Sequence, residues 1–506
     1  MTNLTDSAST SDGELNAGGE EANLEAFGYK PQLKRTLKPW AIFGIAFSFM
    51  SITTSIYTVF GYGLGSFGTA SIWMWPVVLV GQLLVALVIA ELGTRIPLAG
   101  YSYQWGARLI STGYGWIIAV AAFVYLLASG AVITYLLVAP FIGAMLGVTL
   151  NSLQTLIIAI AVLAVIAIVN IVGVKLFSRI NNVAVVGEIV AVLVVGVAVV
   201  VAVLAKDVPL TSLANTGGVH GPAVWGGLMG GLVMGLFSLT GFESAADMSE
   251  EAVGATGSVP RAVIGSLAIS GIVGFIALIC FGLTTPNISA IAASGTPVVD
   301  IISHWFGPVA TRFIIIFPFV AVLGTGFAVV AVQGRLLFAV ARDNVAPASK
   351  LLSKVNPRTQ TPAAAIIVGT TLTAALLVYA YLQSNSFTVL VGATSILPYV
   401  VYLMLLIAYV ARRKSLSHLH KPGTFTLGKW AGPVFVLALI WLVVALLVLS
   451  VPDAFHQADI VVAALLIAGL LWYFLVLRRR IRMGTAGVER ITATDERLDR
   501  VEAESR

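Results

Sequence analysis

Long apolar runs alternate with short polar segments along the chain. Each run has about 20 residues, the length that an α-helix needs to cross a hydrocarbon core of roughly 30 Å. The pattern predicts twelve transmembrane helices. Their expected ranges are 40–62, 70–94, 114–139, 153–171, 182–204, 224–248, 260–283, 311–341, 363–382, 387–410, 431–450 and 458–477. The moderately apolar run 286–306 is typical of an external re-entrant or amphipathic helix.

Basic residues are distributed unevenly between the predicted loops. If the N-terminus is cytoplasmic, 27 of the 29 Lys and Arg residues lie on the inner side, and only Lys206 and Arg312 lie outside. Cytoplasmic loops carry an excess of Lys and Arg, so this split supports the span count and predicts that both termini are cytoplasmic. The net charge of +6 therefore reflects topology rather than binding to nucleic acid. We expect a multi-pass protein of the plasma membrane.

The remaining composition argues against soluble, disulfide-bonded or catalytic alternatives. Only 10% of residues are charged, and the single cysteine, Cys280, allows no disulfide framework within one chain. The tails 1–39 and 478–506 are polar and are predicted to be cytoplasmic, the first of them disordered. There is no phosphate loop and no His-Glu-x-x-His motif, and His418 and His420 in a basic loop are not expected to bind metal. We expect no cofactor, no metal and no enzymatic activity.

Two predicted spans carry clusters of small polar residues near their middle. The first contains Ser51, Ile52, Thr53, Thr54 and Ser55, and the sixth contains the run Phe237, Ser238, Leu239, Thr240, Gly241, Phe242, Glu243 and Ser244. The two spans are each the first of five consecutive predicted spans, 1–5 and 6–10. Such a correspondence is typical of transporters built from two inverted repeats with broken helices.

A broken helix exposes backbone groups that are tolerated in a membrane only where they line a cavity. The freed N–H groups at the N-terminus of a half-helix favour a carboxylate, and freed carbonyls favour an ammonium group or a metal cation. The two breaks together therefore suit a zwitterion. The alternative is that the Ser and Thr side chains only pack closely or bond back to their own helix.

Four stretches of sequence resemble one known family. They are residues 27–35 (FGYKPQLKR), residues 91–100 (ELGTRIPLAG), residues 241–261 (GFES, then SEE and PR) and residues 335–343 (RLLFAVARD). In combination they resemble the amino acid–polyamine–organocation superfamily, and the first stretch resembles its branch of choline and 4-aminobutyrate permeases. The resemblance covers about residues 27–480.

This resemblance implies an all-α integral membrane protein with a leucine-transporter-type fold. Its first inverted repeat is expected over 40–204, its second over 224–410, and two peripheral helices over 431–477. The resemblance also implies that Ser51 to Ser55 cradle a substrate carboxylate through backbone amides, with residues 237–241 on the other side of the substrate. Relatives often have Gly-rich sequence at the first break, and Ser-Ile-Thr-Thr-Ser at this point departs from it. Phe237 resembles an aromatic gate.

Two carboxylates lie within apolar spans, where a charge is costly. Glu243 follows the sixth-span break and resembles part of a gate below the substrate. Glu188 lies in the fifth span, where many relatives have a lysine against the broken first helix. A carboxylate at this position needs a counter-cation, which is a proton, a sodium ion or a cationic group of the substrate. We favour a proton, and sodium is less supported because the corresponding stretch of span eight has only one hydroxyl, that of Thr325. Both residues have structural alternatives: a protonated, hydrogen-bonded Glu243 and a helix-packing Glu188.

Charged residues also cluster at the predicted cytoplasmic ends of the spans, where we expect ion pairs that close an inner gate or, alternatively, ordinary solvated charges. These residues are Glu91, Arg95, Asp247, Glu250, Glu251, Arg261, Arg335 and Arg342.

The sequence therefore favours a secondary active transporter that imports an amino acid or small amine by alternating access, with proton coupling. A zwitterion similar to 4-aminobutyrate is the favoured substrate. The alternatives are an uncoupled exchanger, a choline or polyamine permease, and, more remotely, a sensor that does not transport.

Overall fold

The computed structural model describes residues 24–25, 27–206, 209–383, 386–416, 424–450 and 453–491. The expectations for most of the two tails, and for His418 and His420, lie outside these residues and stay predictions. The described residues are helical, with one isolated parallel β-bridge between Leu37 and Ala252.

The helices follow one another along the chain with short connections. They are α1 (Pro39–Met50), α2 (Ile52–Phe67), α3 (Trp75–Arg95), α4 (Tyr101–Leu109), α5 (Thr112–Val132), α6 (Ala139–Leu146), α7 (Ser152–Val172), α8 (Val174–Lys206), α9 (Ala223–Ser238), α10 (Ser244–Asp247), α11 (Ala255–Thr284), α12 (Ile288–Ala292), α13 (Pro297–Ile314), α14 (Ile316–Arg342), α15 (Ser349–Leu352), α16 (Ala363–Leu382), α17 (Ser386–Leu416), α18 (Ala431–Ser450), α19 (Asp453–Trp472) and α20 (Arg478–Arg482). Short segments of 3₁₀- or π-helix join several of them.

Helical stretches of membrane-crossing length run through most of the chain. Nine stretches of the described residues are long and apolar enough to cross a membrane. One of them, Pro39–Arg95, contains the first two predicted spans, and the sixth predicted span contains a shorter apolar helix, Ala223–Ser238. The protein is therefore an all-helical, multi-pass membrane protein.

The half-helices α1 and α2 lie at the centre of the helix packing. α1 contacts α8, α11 and α14, while α2 packs closely against α9. Glycines permit this second contact, because a Cβ on Gly227 would lie 2.4 Å from the Phe67 ring and one on Gly230 would lie 2.3 Å from the Ser66 side chain. Small residues allow such close approach between helices in a membrane.

Several predicted span boundaries differ from the structure. The eighth span begins at Ile316 rather than at 311, because the preceding helix continues to Ile314 and a turn at Ile315 separates the two. The fifth lies in a longer helix, Val174–Lys206, which begins directly after Gly173. The run 286–306 contains Ile288–Ala292 and the first part of α13.

Candidate functional site

The first span is interrupted at Ser51. This residue has φ of 24° and ψ of 103°, between the end of α1 and the start of α2. Its Oγ accepts a hydrogen bond from the Thr54 N–H at 3.2 Å and so caps the new helix. A serine, unlike an alanine, offsets part of the cost of this backbone conformation by satisfying an orphan amide at the helix start.

Glu188 on α8 binds the same helix start. Its Oε1 accepts from the Ser51 hydroxyl at 3.0 Å and from the Thr53 N–H at 3.1 Å. The Ile52 amide also faces this carboxylate. The side chain is buried, and its Oε2 has no hydrogen-bond partner in the part of the chain that the structure describes. The positive end of the α2 dipole therefore holds a carboxylate from the chain itself.

A row of hydroxyls connects Glu188 with span eight. Ser51 Oγ accepts from Thr54 Oγ1 at 2.9 Å, and Thr54 Oγ1 lies 2.8 Å from Thr325 Oγ1. All four side chains are buried. The row is continuous, so a change in the proton on Glu188 alters the hydrogen bonding of Thr54 and Thr325.

The sixth span is interrupted between Ser238 and Ser244. Gly241 has φ of +101°, and a Cβ at this position would lie 2.3 Å from the Phe49 ring. Only glycine adopts this conformation without strain. The Glu243 Oε2 accepts from the Gly241 N–H at 3.0 Å and from the Tyr402 hydroxyl at 2.6 Å. Here too, a carboxylate of the chain satisfies an amide freed by the break.

A cavity lies between the two breaks. The empty space is about 470 Å³, including open solvent at its mouth. Its walls are Phe49, Met50, Thr54, Ser55, Thr58, Tyr125, Ser129, Val132, Ile133, Phe237, Thr240, Thr325, Val329 and Thr394. None of these residues is charged at neutral pH, so the cavity is lined by hydroxyls, aromatic rings and aliphatic groups.

Four of the ten predicted substrate residues line this cavity: Thr54, Ser55, Phe237 and Thr240. The other six, Ser51, Ile52, Thr53, Ser238, Leu239 and Gly241, are not among its walls. The predicted cradle of free amides differs most from the structure, because the Thr53 and Thr54 amides are already bonded to Glu188 and Ser51.

The sequence reasoning missed the third span's contribution to the cavity. Tyr125 and Ser129 are four residues apart and therefore lie on one face of α5, toward the cavity. Two polar side chains at helical spacing in an apolar run were the available signal. Thr394 gave no such signal, because hydroxyls in a span usually bond to their own helix, as Thr394 and Ser395 do to the Val391 carbonyl.

Three buried ion pairs gather at one end of the bundle. Arg335 holds Glu251 with bonds of 2.8 and 3.3 Å, and Arg342 holds Glu250 with bonds of 3.0 and 2.8 Å. The third pair joins Glu91 to Arg95 one turn further along α3. We call this set of three pairs the inner cluster.

The remaining two predicted gate residues behave differently. Asp247 is buried, but its Oδ1 has no partner among the described residues. Arg261 is exposed in the second turn of α11 and lies outside the three buried pairs, which agrees with the alternative of a solvated charge.

A segment before α1 lies over this end of the protein. We call Phe27–Leu37 the N-terminal strap. The Tyr29 hydroxyl donates to Asp343 at 2.7 Å, and the Tyr29 ring lies 3.6 Å from the Arg342 guanidinium carbon. At the other end of the strap, the Leu37 N–H donates to the Glu251 carbonyl. Burial raises the pKa of Asp343, and the charge of Arg342 and the hydrogen bond from Tyr29 oppose this rise by stabilising the carboxylate.

Comparison with known proteins gives a consistent family. The model of the family described as amino acid permease matches residues 37–473. A GABA-specific permease of Saccharomyces cerevisiae is 27% identical over 450 residues, covering 83% of this chain and 77% of that protein. An amino-acid permease of Schizosaccharomyces pombe is 24% identical over 89% of this chain and 84% of its own. The amino-acid permease BAT1 of Arabidopsis thaliana is 24% identical over 86% of this chain and 89% of that protein.

The family match begins at the strap and ends in the last long helix, so it includes both breaks, Glu188 and the inner cluster. A match of this extent, together with multiple membrane-length helices, indicates an amino acid transporter and not an enzyme. The chain belongs to the amino acid permease family.

Proposed function

We propose that this permease is a secondary active transporter that imports its substrate across the plasma membrane by alternating access, driven by protons. The observation that carries the proposal is the contact of Glu188 with the break of the first span. An ionisable group in this position responds to protonation and touches the helix that lines the substrate cavity. A charge inside a membrane is costly, so such groups are usually functional.

The proposed architecture has twelve spans. Residues 40–204 and 224–410 form two inverted repeats, each opened by an interrupted helix, and 431–477 form a peripheral pair. The interruptions at Ser51 and at residues 239–243 support this arrangement. Both termini are proposed to be cytoplasmic, which makes the inner cluster the cytoplasmic gate.

The proposed substrate is a small amine-bearing zwitterion of the 4-aminobutyrate kind. The relative named as a GABA-specific permease supports this preference. The cavity supports it also, since Phe49, Tyr125 and Phe237 present aromatic rings to an ammonium group. Such contacts contribute about 0.5–2 kcal/mol each.

In the proposed cycle, the substrate binds while Glu188 is charged, and a proton from outside then neutralises Glu188. Its hold on the Thr53 amide weakens, because a hydrogen bond to a charged acceptor is about twice as strong as one to a neutral acceptor. The loosened break allows α1 to move, and the inner cluster opens. Loss of the proton to the cytoplasm restores the charged carboxylate and with it the contact at 3.1 Å.

The test is uptake of labelled 4-aminobutyrate into proteoliposomes with an imposed pH gradient. Wild-type uptake is expected to rise when the outside is made acidic. Glu188→Gln, which keeps an acceptor oxygen but binds no proton, is expected to lose this response while retaining substrate binding. The matched control is Glu25→Gln, because Glu25 is exposed and belongs to neither break.

Unchanged pH dependence in Glu188→Gln would contradict proton coupling at this residue. A requirement for substrate inside the vesicle, with no uptake into empty vesicles, would favour an uncoupled exchanger. Uptake that follows a sodium gradient at constant pH would move the coupling to sodium.

A further inference from the structure

Most hydroxyls of the cavity already donate their one proton to a hydrogen bond within the protein. Ser55 donates to the Ser51 carbonyl at 2.8 Å and Thr58 donates to the Thr54 carbonyl at 2.7 Å. Thr240, Thr325 and Thr394 donate in the same way to carbonyls of their own segments, and Thr54 donates to Ser51. A hydroxyl has one proton and two lone pairs. What these six groups have left for a substrate is therefore acceptor capacity.

The two backbone amides freed by the helix breaks, which would suit an anion, already donate hydrogen bonds to carboxylates of the protein. At the first break, Glu188 accepts from Thr53. At the second break, Glu243 accepts from Gly241. Each carboxylate belongs to the chain and is buried, so a substrate carboxylate would have to displace a fixed like charge to reach either amide.

The cavity walls contain no Lys, Arg or His. A carboxylate bound there would lack both a counter-charge and the amides, while an ammonium group would find lone pairs and three aromatic rings. The chemistry of the walls is thus that of a cation site.

We propose that the substrate is recognised by its ammonium group and that Glu188 is the specificity-determining residue that excludes α-amino acids. This inference rests on the proposed transport function and names the substrate class of the same cavity. In an α-amino acid, one carbon carries both charged groups. An ammonium group in the cavity therefore brings the carboxylate close to the first break, where Glu188 repels it.

Substrates that escape this exclusion carry the carboxylate far from the amine or carry none. Tyr125 and Ser129 line the cavity from α5, whereas Glu188 lies on α8. The structure gives neither hydroxyl a bond to a backbone carbonyl among the described residues, and Tyr125 bonds instead to the hydroxyls of Ser129 and Thr240. These two α5 hydroxyls are the groups that can turn to donate to a distant carboxylate. The substrate class is therefore ω-amino acids and simple primary amines.

Three probes with the same carbon chain separate the possibilities in binding assays on the purified full-length protein. 2-Aminobutyrate and 4-aminobutyrate are isomers that differ only in the spacing of amine and carboxylate, and 1-aminobutane lacks the carboxylate. We expect 4-aminobutyrate and 1-aminobutane to bind at least about 10-fold more tightly than 2-aminobutyrate, a factor equivalent to 1.4 kcal/mol. Equal or tighter binding of 2-aminobutyrate overturns the proposal, as does failure of both other probes to bind.

A pair of variants then tests the role of Glu188. Glu188→Ala vacates the amides and is expected to reduce the preference for 4-aminobutyrate over 2-aminobutyrate by about 10-fold. Glu188→Gln still places an oxygen on the Thr53 amide but carries no charge, so it is also expected to lose most of the preference. An unchanged ratio in Glu188→Ala, with 1-aminobutane binding retained as evidence of folding, rejects the role of Glu188. If Glu188→Ala does not fold, the ratio of 4-aminobutyrate to 2-aminobutyrate affinity in the wild type still decides the substrate class. An unaltered ratio in Glu188→Gln then shows that charge repulsion is not the source of the preference.

These measurements are independent of transport. A protein that prefers 4-aminobutyrate in binding but takes up nothing into vesicles contradicts the proposed function and leaves the selectivity intact. A protein that transports with protons but binds both isomers equally contradicts only the selectivity.

Discussion

The ion pair between Arg335 and Glu251 allows a quantitative test of the inner cluster as a gate. Both side chains are 1% exposed, and the two bonds are 2.8 and 3.3 Å long. Glu251→Gln leaves the Arg335 charge buried without its partner. Such a loss costs about 3–5 kcal/mol in a buried pair. Opening of the gate admits water to the arginine and relieves this cost, so the opening equilibrium shifts by up to the same amount.

A shift of about 3 kcal/mol corresponds to roughly a 100-fold larger open population. The chain's single cysteine makes this measurable, because Cys280→Ser gives a cysteine-free background. Ser249→Cys then serves as the reporter, since Ser249 is 2% exposed and its hydroxyl has no partner among the described residues. We expect a thiol reagent to label the reporter roughly 100-fold faster in Glu251→Gln than in the parent, when labelling is slow compared with opening and closing.

The double variant Glu251→Gln with Arg335→Met removes both charges. Replacing a buried pair by apolar groups is often close to neutral, so labelling is expected to return most of the way to the parent rate. The substitution of the exposed Glu25, Glu25→Gln, is the control for a simple change in net charge. Equal rates in the parent and in Glu251→Gln, or a double variant that labels faster than the single one, would refute the reasoning.

Two further changes test the second break and the strap. Gly241→Ala places a methyl group against the Phe49 ring at a φ of +101°, and we expect loss of uptake with a folded protein; uptake within about twofold of wild type would show that the break relaxes. Tyr29→Phe removes the 2.7 Å bond to Asp343 and keeps the ring, so we expect about 1.5–3 kcal/mol of stability to be lost, the range for a hydrogen bond to a charged group; an unchanged melting temperature would show that the hydroxyl contributes nothing.

The positions of both breaks were predictable, because small polar residues in the middle of a span disagree with their apolar surroundings. The sequence also placed Thr54, Ser55, Phe237 and Thr240 at the cavity without any contact information. The general character of the protein, a helical permease, was predictable for the same reason, since apolar runs of membrane length admit few other interpretations.

What the sequence did not reveal is which group binds the amides. Ser51 and Glu188 are 137 residues apart, and their contact depends on how two helices are rotated and shifted against each other. The amides at the break seemed available to a substrate because local pattern contains no register between helices. Tyr402, which satisfies Glu243, was missed for a related reason: a tyrosine in an apolar span looks like ordinary packing until its hydroxyl is given a partner.

The strap has a consequence for the order of events during synthesis. Tyr29 leaves the ribosome early, but its partner Asp343 is made 314 residues later. The carbonyl of Asp343 in turn accepts from the Gly487 amide, close to the end of the described chain. Contacts of such separation form last, because the loop between them must close first. A nascent permease therefore inserts its helices before the contacts of Asp343 with the strap and with Gly487 form. A product truncated before residue 487 lacks the second of these contacts.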